Sequence, residues 1–461
     1  MTQMRTVRIF LGALLATSAL VAQQSQFQGS VSSGTASSTP LALTLHDAID
    51  RGLKTNLGLL VSDSASESAR GQRLQALSAL LPQVHAQAGE TVEQASLKTF
   101  GFNFSFPGVS IPTILGPFHY TDVRAYASWD VYDYTARKNL RSAQEERRAA
   151  QLSVTDARDL VVQATASAYL QIIADASRTE AIRFQVETAQ ALYDRAVDQQ
   201  NAGTAAGIDV LRSQVELKQQ QQRLLAQQNQ FDKDKLALGR VIGLPPGQDF
   251  NLAESAPFSP LTSMTQDQAL SAALMQRADY QSYQARVRAA EESVKAAHGE
   301  RYPTAGVTAD YGDVGTTLAS SHGTFDFVAS AKVNIFDGGR ISGDEIQAKA
   351  ALKQRRDELA DLAGQIDYQV RAAFLDIRTA ADQVTVARDN LDLTNQTLVQ
   401  ARDRFTAGVT DNIEVVQAQE SVASANDNLI AALYAHNLAK VNLARALGGA
   451  EQGIQKLMEV K

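Results

Sequence analysis

Ala168-Tyr169-Leu170-Gln171-Ile172 is answered by Ala373-Phe374-Leu375-Asp376-Ile377, 205 residues further on. The same offset, with no insertion, carries Ala202-Gly203 onto Ala407-Gly408 and Ile208-Asp209-Val210 onto Ile413-Glu414-Val415. It also carries Arg240-Val241-Ile242-Gly243 onto Arg445-Ala446-Leu447-Gly448. Each copy reads as a long polar helix, a glycine turn and a second helix running back. The chain is therefore built twice from one helical hairpin.

Proline shows how long those helices are. All ten prolines lie at 40, 82, 107, 112, 117, 245, 246, 257, 260 and 303, which leaves 118–244 and 304–461 without one. Proline inside a helix costs about 3 kcal/mol, so its exclusion fits unusually long helices. About 65 residues at about 1.5 Å each reach about 100 Å, too long for an ordinary globular domain.

Upstream of each hairpin the pattern also repeats. Leu45, Ala48, Ile49 and Leu53, then Leu74, Leu77, Leu80 and Leu81, predict a helix over 45–81 that Pro82 ends; residues 269–302, ended by Pro303, repeat it at an offset of 221. Between these helices and the hairpins the period changes to two. Val123, Ala125, Ala127, Trp129 and Val131 alternate with Arg124, Ser128 and Asp130. Phe325, Phe327, Ala329, Ala331, Val333 and Ile335 alternate with Asp326, Ser330, Lys332 and Asn334. Ala305, Val307, Ala309 and Tyr311 form a third strand, and 84–94 a weaker fourth. The connecting loops are expected at 97–120 and 312–324.

Strands of about ten residues with one apolar and one polar face suit a soluble sandwich or a tilted membrane crossing, and their length favours the crossing. Four strands cannot close a membrane barrel, because the smallest have about eight and an open edge in lipid leaves backbone groups unpaired. Spanning strands must therefore be pooled between chains; strand count alone permits a dimer or a trimer. Trp129, Tyr126, Tyr120, Tyr311 and Phe325 are candidates for aromatic girdles at the membrane surface.

The remaining segments follow. Residues 1–22, with Arg5 and Arg8 before an apolar run, read as a signal peptide. A flexible segment over 23–40, a first repeat over 41–243, a linker over 244–265, a second repeat over 266–448 and a tail over 449–461 complete the plan. The net charge of -7 is spread out and leaves no basic footprint for nucleic acid. The absence of cysteine excludes disulfides, thiolate chemistry and a lipid on an N-terminal cysteine. Histidines 46, 85, 119, 298, 322 and 436 lack metal-site spacing. No catalytic elbow, Walker loop or dinucleotide fingerprint is present, and Gly338-Gly339 lacks the Lys-Ser/Thr of a phosphate loop. No cofactor and no enzyme chemistry are expected.

With these parts in place, residues 41–450 resemble the TolC-like outer-membrane efflux family. The likeness is carried by Leu81-Pro82 and Tyr302-Pro303, by Asn334-Ile335-Phe336-Asp337-Gly338-Gly339-Arg340, by Ala407-Gly408 with Ile413-Glu414-Val415, and by Ala446-Leu447-Gly448. It implies a mainly α chain with transmembrane β: a homotrimeric β-barrel in the outer membrane, four strands per chain, continued by a long α-helical barrel through the periplasm. It also implies a passive exit duct in a tripartite efflux or type I secretion system. The duct would dock on a periplasmic adaptor (membrane fusion) protein and an inner-membrane RND or ABC transporter. A secreted, soluble coiled-coil interaction protein is the rival reading; sustained helices fit it and the alternating strands do not.

The resemblance places a gate at Glu414, Asp411 and Gln417, where three-fold repetition would turn each carboxylate into a ring of like charges. Asp411 and Glu414 also have the spacing of a capping box, which offers both a purely structural role. Gln417 stands where some relatives carry a second carboxylate, and Thr410 and Phe405 lack the charge or phenol that latch some relatives shut. Asp209 and Arg212, the first-copy counterparts, read as surface support. Ala202, Gly203, Ala407, Gly408 and Val409 are the expected adaptor contacts.

Overall fold

The computed structural model describes residues 27, 29–101, 112–204, 206–254, 258, 264–407, 409, 410 and 412–458. The expected signal peptide, Gly408 and Asp411 lie outside the described residues. In chain order the elements are β1 (Leu41–Leu43), α1 (Leu45–Thr55), α2 (Leu57–Ser78), β2 (Gln83–Ser96), β3 (Ile114–Tyr132), α3 (Tyr134–Asn201), α4 (Gly207–Val241) and β4 (Phe250–Leu252). Then come α5 (Gln266–Gln276), α6 (Ala278–Gly299), β5 (Thr304–Gly315), β6 (His322–Lys332), α7 (Arg340–Thr406), α8 (Asn412–Leu447) and α9 (Ala450–Met458). The chain divides into two compact units, one of Met1–Ser66, Ala150–Ser282 and Leu359–Lys461, the other of Glu67–Ala149 and Tyr283–Glu358.

The long proline-free spans form helices of 68 and 67 residues, α3 and α7, which end at equivalent positions of the two copies. The helices expected over 45–81 and 269–302 are each broken, at Asn56 and at Arg277, again at equivalent positions. Both residues are extended, with φ/ψ of -64/128° and -63/123°. Different side chains hold the two breaks. Asn56 Nδ2 donates to the Phe27 carbonyl (2.7 Å), and its Oδ1 accepts from Gly58 N–H (2.9 Å). Arg277 makes two bonds to Asp279 (3.0 and 2.6 Å) and one to Gln369 (2.6 Å).

The glycine that closes each hairpin sits against these breaks. Gly243 and Gly448 have φ of +66° and +82°. A Cβ on Gly243 would lie 2.5 Å from Thr55 Oγ1, and one on Gly448 3.0 Å from the Arg277 backbone. Repetition of Ile-Gly and Leu-Gly in the sequence thus reflects one packing solution used twice.

The main core of the first unit gathers Leu43, Ile49, Val162, Tyr169, Ile172, Leu238, Ile242, Phe250, Val441 and Ile454. Tyr169 is fully buried and donates to the Leu43 carbonyl (3.0 Å). Its counterpart Phe374 carries no hydroxyl and packs against the clusters around Ile366 and Ile377. The expected flexible segment is tied down over its described part: Val31 N–H donates to Thr55 and Ser33 N–H to Gly243. The expected linker supplies β4, which pairs in parallel with β1. The expected tail forms α9. Its start is capped by Asp159, which accepts from Gly449 N–H (3.1 Å) and Ala450 N–H (2.8 Å). Apolar Ala450 and Ile454 had a core to fill, which charge-poor spacing over so short a segment does not reveal.

A buried ion network crosses between the copies. Arg445 Nη2 binds Asp156 and lies 3.7 Å from Asp279, which is itself paired with Arg277. Burial pushes the Asp156 carboxyl above its usual range, with Arg445 opposing. Burial acts the same way on Asp279, but the Arg277 hydrogen bonds and charge outweigh it and hold that carboxyl below the usual range.

The second unit holds one antiparallel sheet in the order β2-β3-β5-β6. Register aligns the two faces across all four strands. Ala86, Ala125, Tyr311 and Phe325 form one row; Val84, Ala127, Ala309 and Phe327 the next. On the opposite face His85, Tyr126, Asp310 and Asp326 align, beside Gln87, Arg124, Gly312 and Thr324. There Arg124 binds Asp122, Asp310 and Thr324.

The sheet corrects several sequence expectations. Residues 114–120 belong to β3 rather than to a loop, because they pair with β2. Strand β6 ends at Lys332, so Val333 and Ile335 lie beyond it. A bulge between Asp130 and Tyr132 sets Tyr132 opposite Ala305, so Val131 does not continue the apolar row. Tyr126 stacks on His85 at 5.0 Å and, with Tyr120, stands on the polar face, away from the row of Tyr311 and Phe325. Trp129 keeps to the apolar parity, and its Nε1 donates to the Leu80 carbonyl (3.0 Å).

Two stability predictions follow from this packing. Gly243→Ala should destabilise by about 3 kcal/mol, from left-handed strain plus the clash with Thr55, whereas Gly247→Ala, with φ +84° and open space, should lose only about 1–2 kcal/mol. Thermal melts followed by circular dichroism check the difference. Arg445→Met should cost about 3–5 kcal/mol at neutral pH by stranding Asp156. A raised carboxyl pKa means the folded state binds the extra proton, so stability is regained as pH falls through that pKa. The gap between wild type and Arg445→Met should therefore narrow between pH 7.5 and 5 in denaturant titrations.

Candidate functional site

Helix α3 ends in a Schellman turn. Gly203 has φ +74°, its N–H donates to Gln200, and Thr204 N–H reaches back five residues to Gln199 (both 2.9 Å). At the end of α7, Ala407 N–H donates to Asp403 and Val409 N–H reaches back five residues to Arg404 (3.0 Å). The matching five-residue bonds show one turning device at both hairpin tips. Ala202, Gly203, Ala407 and Val409 are all exposed there.

The two tips pack side by side. Leu192 of α3 and Phe405 of α7 close over Ala401, Val415 and Ala418. The Arg195 guanidinium lies 6.0 Å from the centre of the Phe405 ring. Between α4 and α8 runs an apolar groove of about 360 Å³, lined by Ile208, Leu211, Val215, Ile413 and Val416 with Arg212, Glu216 and Gln417 at its polar margins. Asp209 pairs with Arg212 at 3.6 Å, as the surface-support reading expects.

Glu414 stands in the first turn of α8. One carboxylate oxygen binds Arg404 (2.7 Å), and the other accepts from the Thr410 hydroxyl. The side chain thus clamps the last turn of α7 to the first turn of α8. Thr410, which lacks the charge or phenol that latches some relatives, is one jaw of that clamp. Gln417 instead lines the groove. Sequence reasoning missed Arg404. Its signal was an opposite charge ten residues before Glu414, across the Ala407-Gly408 turn.

Among the described residues no cluster of three His, Asp or Glu could hold a metal, and no helix is long and apolar enough to cross a membrane. A membrane-crossing part of this chain would be the sheet.

Comparison with known proteins agrees with this geometry. The model of the outer membrane efflux protein family matches residues 48–244 and 269–449. A probable outer membrane lipoprotein, SilC of Salmonella typhimurium, is 24% identical over 47% of this chain and 46% of its own length. The toluene efflux pump outer membrane protein TtgC of Pseudomonas putida is 23% identical over 67% of this chain and 63% of its own. The chain thus spans less than two thirds of these curated relatives. It spans more of the pyoverdine export outer membrane protein OpmQ of Pseudomonas aeruginosa, 22% identical over 88% of this chain and 85% of that protein. Among solved structures, the Campylobacter jejuni CmeC outer membrane channel superposes with a TM-score of 0.77 at 16% identity, covering 94% of this chain and 95% of that one. The Vibrio cholerae outer membrane protein VceC gives 0.75 at 19% identity, covering 88% and 96%. These two likenesses show the fold, mainly helical with a β-domain. Since the family model takes in both repeats almost end to end, the chain belongs to the outer membrane efflux protein family.

Proposed function

We propose that the chain is a passive exit duct in the outer membrane, working as a homotrimer in a tripartite efflux or type I secretion system. The observation that carries this reading is the sheet. It is two-faced across four strands, yet β2 and β6 are edges with no partner strand in the chain. Such edges in lipid leave a row of unpaired N–H and C=O groups, and pairing β6 of one copy with β2 of the next removes them. Three copies would pool about twelve strands, well above the smallest closed barrels of about eight.

The long helices support the same assembly. On α7, Tyr368, Leu375, Val386 and Leu393 recur every seven or eleven residues and are all exposed in the single chain. An apolar stripe of that period suits packing against a neighbouring helix. Among relatives, one is named for toluene, one for pyoverdine and one for cation efflux. One architecture serving such unlike cargoes supports a duct whose energy comes from an inner-membrane RND or ABC transporter. The exposed residues Ala202, Gly203, Ala407 and Val409, with Gly408 between the last two in sequence, are our proposed contacts for a periplasmic adaptor protein. Glu414, Asp411 and Gln417 are our proposed gate, with the Arg404–Glu414–Thr410 clamp holding one wall of it.

In membrane fractionation and unheated gels the protein should run as a heat-modifiable trimer from the outer membrane; a soluble monomer would sink the proposal. In planar bilayers, Arg404→Gln should expose the Glu414 charge and raise the cation-to-anion permeability ratio about two- to five-fold, the effect of about 0.4–1 kcal/mol of screened charge interaction. Glu414→Gln should lower the ratio. Unchanged conductance and selectivity in both variants would return Glu414 to a purely structural role at the helix start.

A further inference from the structure

A cavity of about 280 Å³ lies within the first unit, among α3, α4, α7 and α8, next to the tip groove, with which it shares Glu216. Its wall includes Glu216 and Gln220, one turn apart on α4 and only 6% and 3% exposed. Gln220 Nε2 donates to Glu216 Oε1 (2.7 Å), which leaves the Gln220 carbonyl oxygen buried without a partner. Gln419 Oε1 on α8 lines the same cavity and is also buried without a partner. A buried acceptor left unmade is unfavourable, so a sequence that places two around one void is adapted to something that donates to them. Both signs of charge line the void as well. Glu216 supplies a carboxylate and Arg402 of α7 a guanidinium. Phe184 and Val422 supply apolar surface.

We propose that this cavity binds a small zwitterion of the α-amino-acid class. The ammonium group donates to Glu216 and to the open oxygens of Gln220 and Gln419; the carboxylate pairs with Arg402; an apolar side chain lies against Phe184 and Val422. A net-neutral wall carrying one fixed carboxylate and one fixed guanidinium favours a ligand carrying both complementary groups over a simple cation or anion.

Isothermal titration of the detergent-solubilised full chain with L-leucine tests the assignment. Isoamylamine, which lacks the carboxylate, and 4-methylpentanoate, which lacks the ammonium, serve as matched probes. Saturable leucine binding is expected, with each matched probe weaker by about ten-fold or more. Gln220→Met and Arg402→Met should each weaken leucine by a similar factor, with Gln419→Met replacing either variant that loses its helical circular dichroism. Absence of leucine binding would mean that the cavity holds only water and would overturn the proposal. So would equal binding of either matched probe, or leucine affinity unchanged in the substituted chains.

Discussion

A buried charge cannot be left alone, and the first unit is arranged around that rule. Arg445, Asp156 and Asp279 come from three helices and Arg277 from the break before α6, and each makes the burial of another tolerable. Removing one partner of such a set strands the rest in a medium that solvates them poorly. The set therefore fixes where α8 lies against α3 and where α5 gives way to α6. Asp159, one turn beyond Asp156, extends the arrangement by capping α9 with its carboxylate. Where the first copy needs the same break it uses neutral Asn56 and two hydrogen bonds. One backbone geometry has been reached by two chemistries, because only the break at Arg277 borders the charged cluster.

The second unit obeys a different rule, the obligation of backbone groups to pair. Within β3 and β5 both sides of each strand are paired, while β2 and β6 have one side each. On the polar face, Arg124 ties β3 to Asp310 of β5 and Thr324 of β6, so the face that would line a lumen is cross-linked by charge. The other face carries alanine, valine and aromatic rows over most of its length and turns polar only toward the β2–β3 and β5–β6 loops, at Asp313, Thr121 and Glu90. Such a sheet has a reason to associate edge to edge with copies of itself and none to bury its polar side.

Much of this was legible in the sequence where a single physical rule governs a long span. Exclusion of proline marked the spans that hold α3 and α7, the repeated Ala-Gly marked where both helices end, and strict alternation marked which side of each strand is apolar. The rule failed where a local exception intervenes. Both breaks, at Asn56 and Arg277, escape a periodicity argument because apolar spacing continues through them. The bulge at Asp130–Tyr132 inverts the parity of the last strand residues, which alternation alone cannot foresee. The candidate site was legible in part: the turns follow from Ala-Gly at a fixed offset, but the clamp on Glu414 depends on Arg404 lying across the turn, a juxtaposition that exists only once the hairpin has formed.

Sequence identity between the copies is also a weaker guide than it looks. Arg240 and Arg445 occupy the same repeat position, yet Arg240 is exposed and Arg445 is buried in the ion network. Asp209 and Glu414 are likewise equivalent. Asp209 pairs along its own helix with Arg212, whereas Glu414 pairs across the turn with Arg404 and locally with Thr410. A bond along one helix leaves the hairpin free to shift as a body. A bond across the turn couples two helices, so breaking it changes how the tip is held. The copies thus share a backbone and differ in which charges are shared between helices. That difference, rather than the glycine turn the copies share, is what supports placing the proposed gate at the second tip.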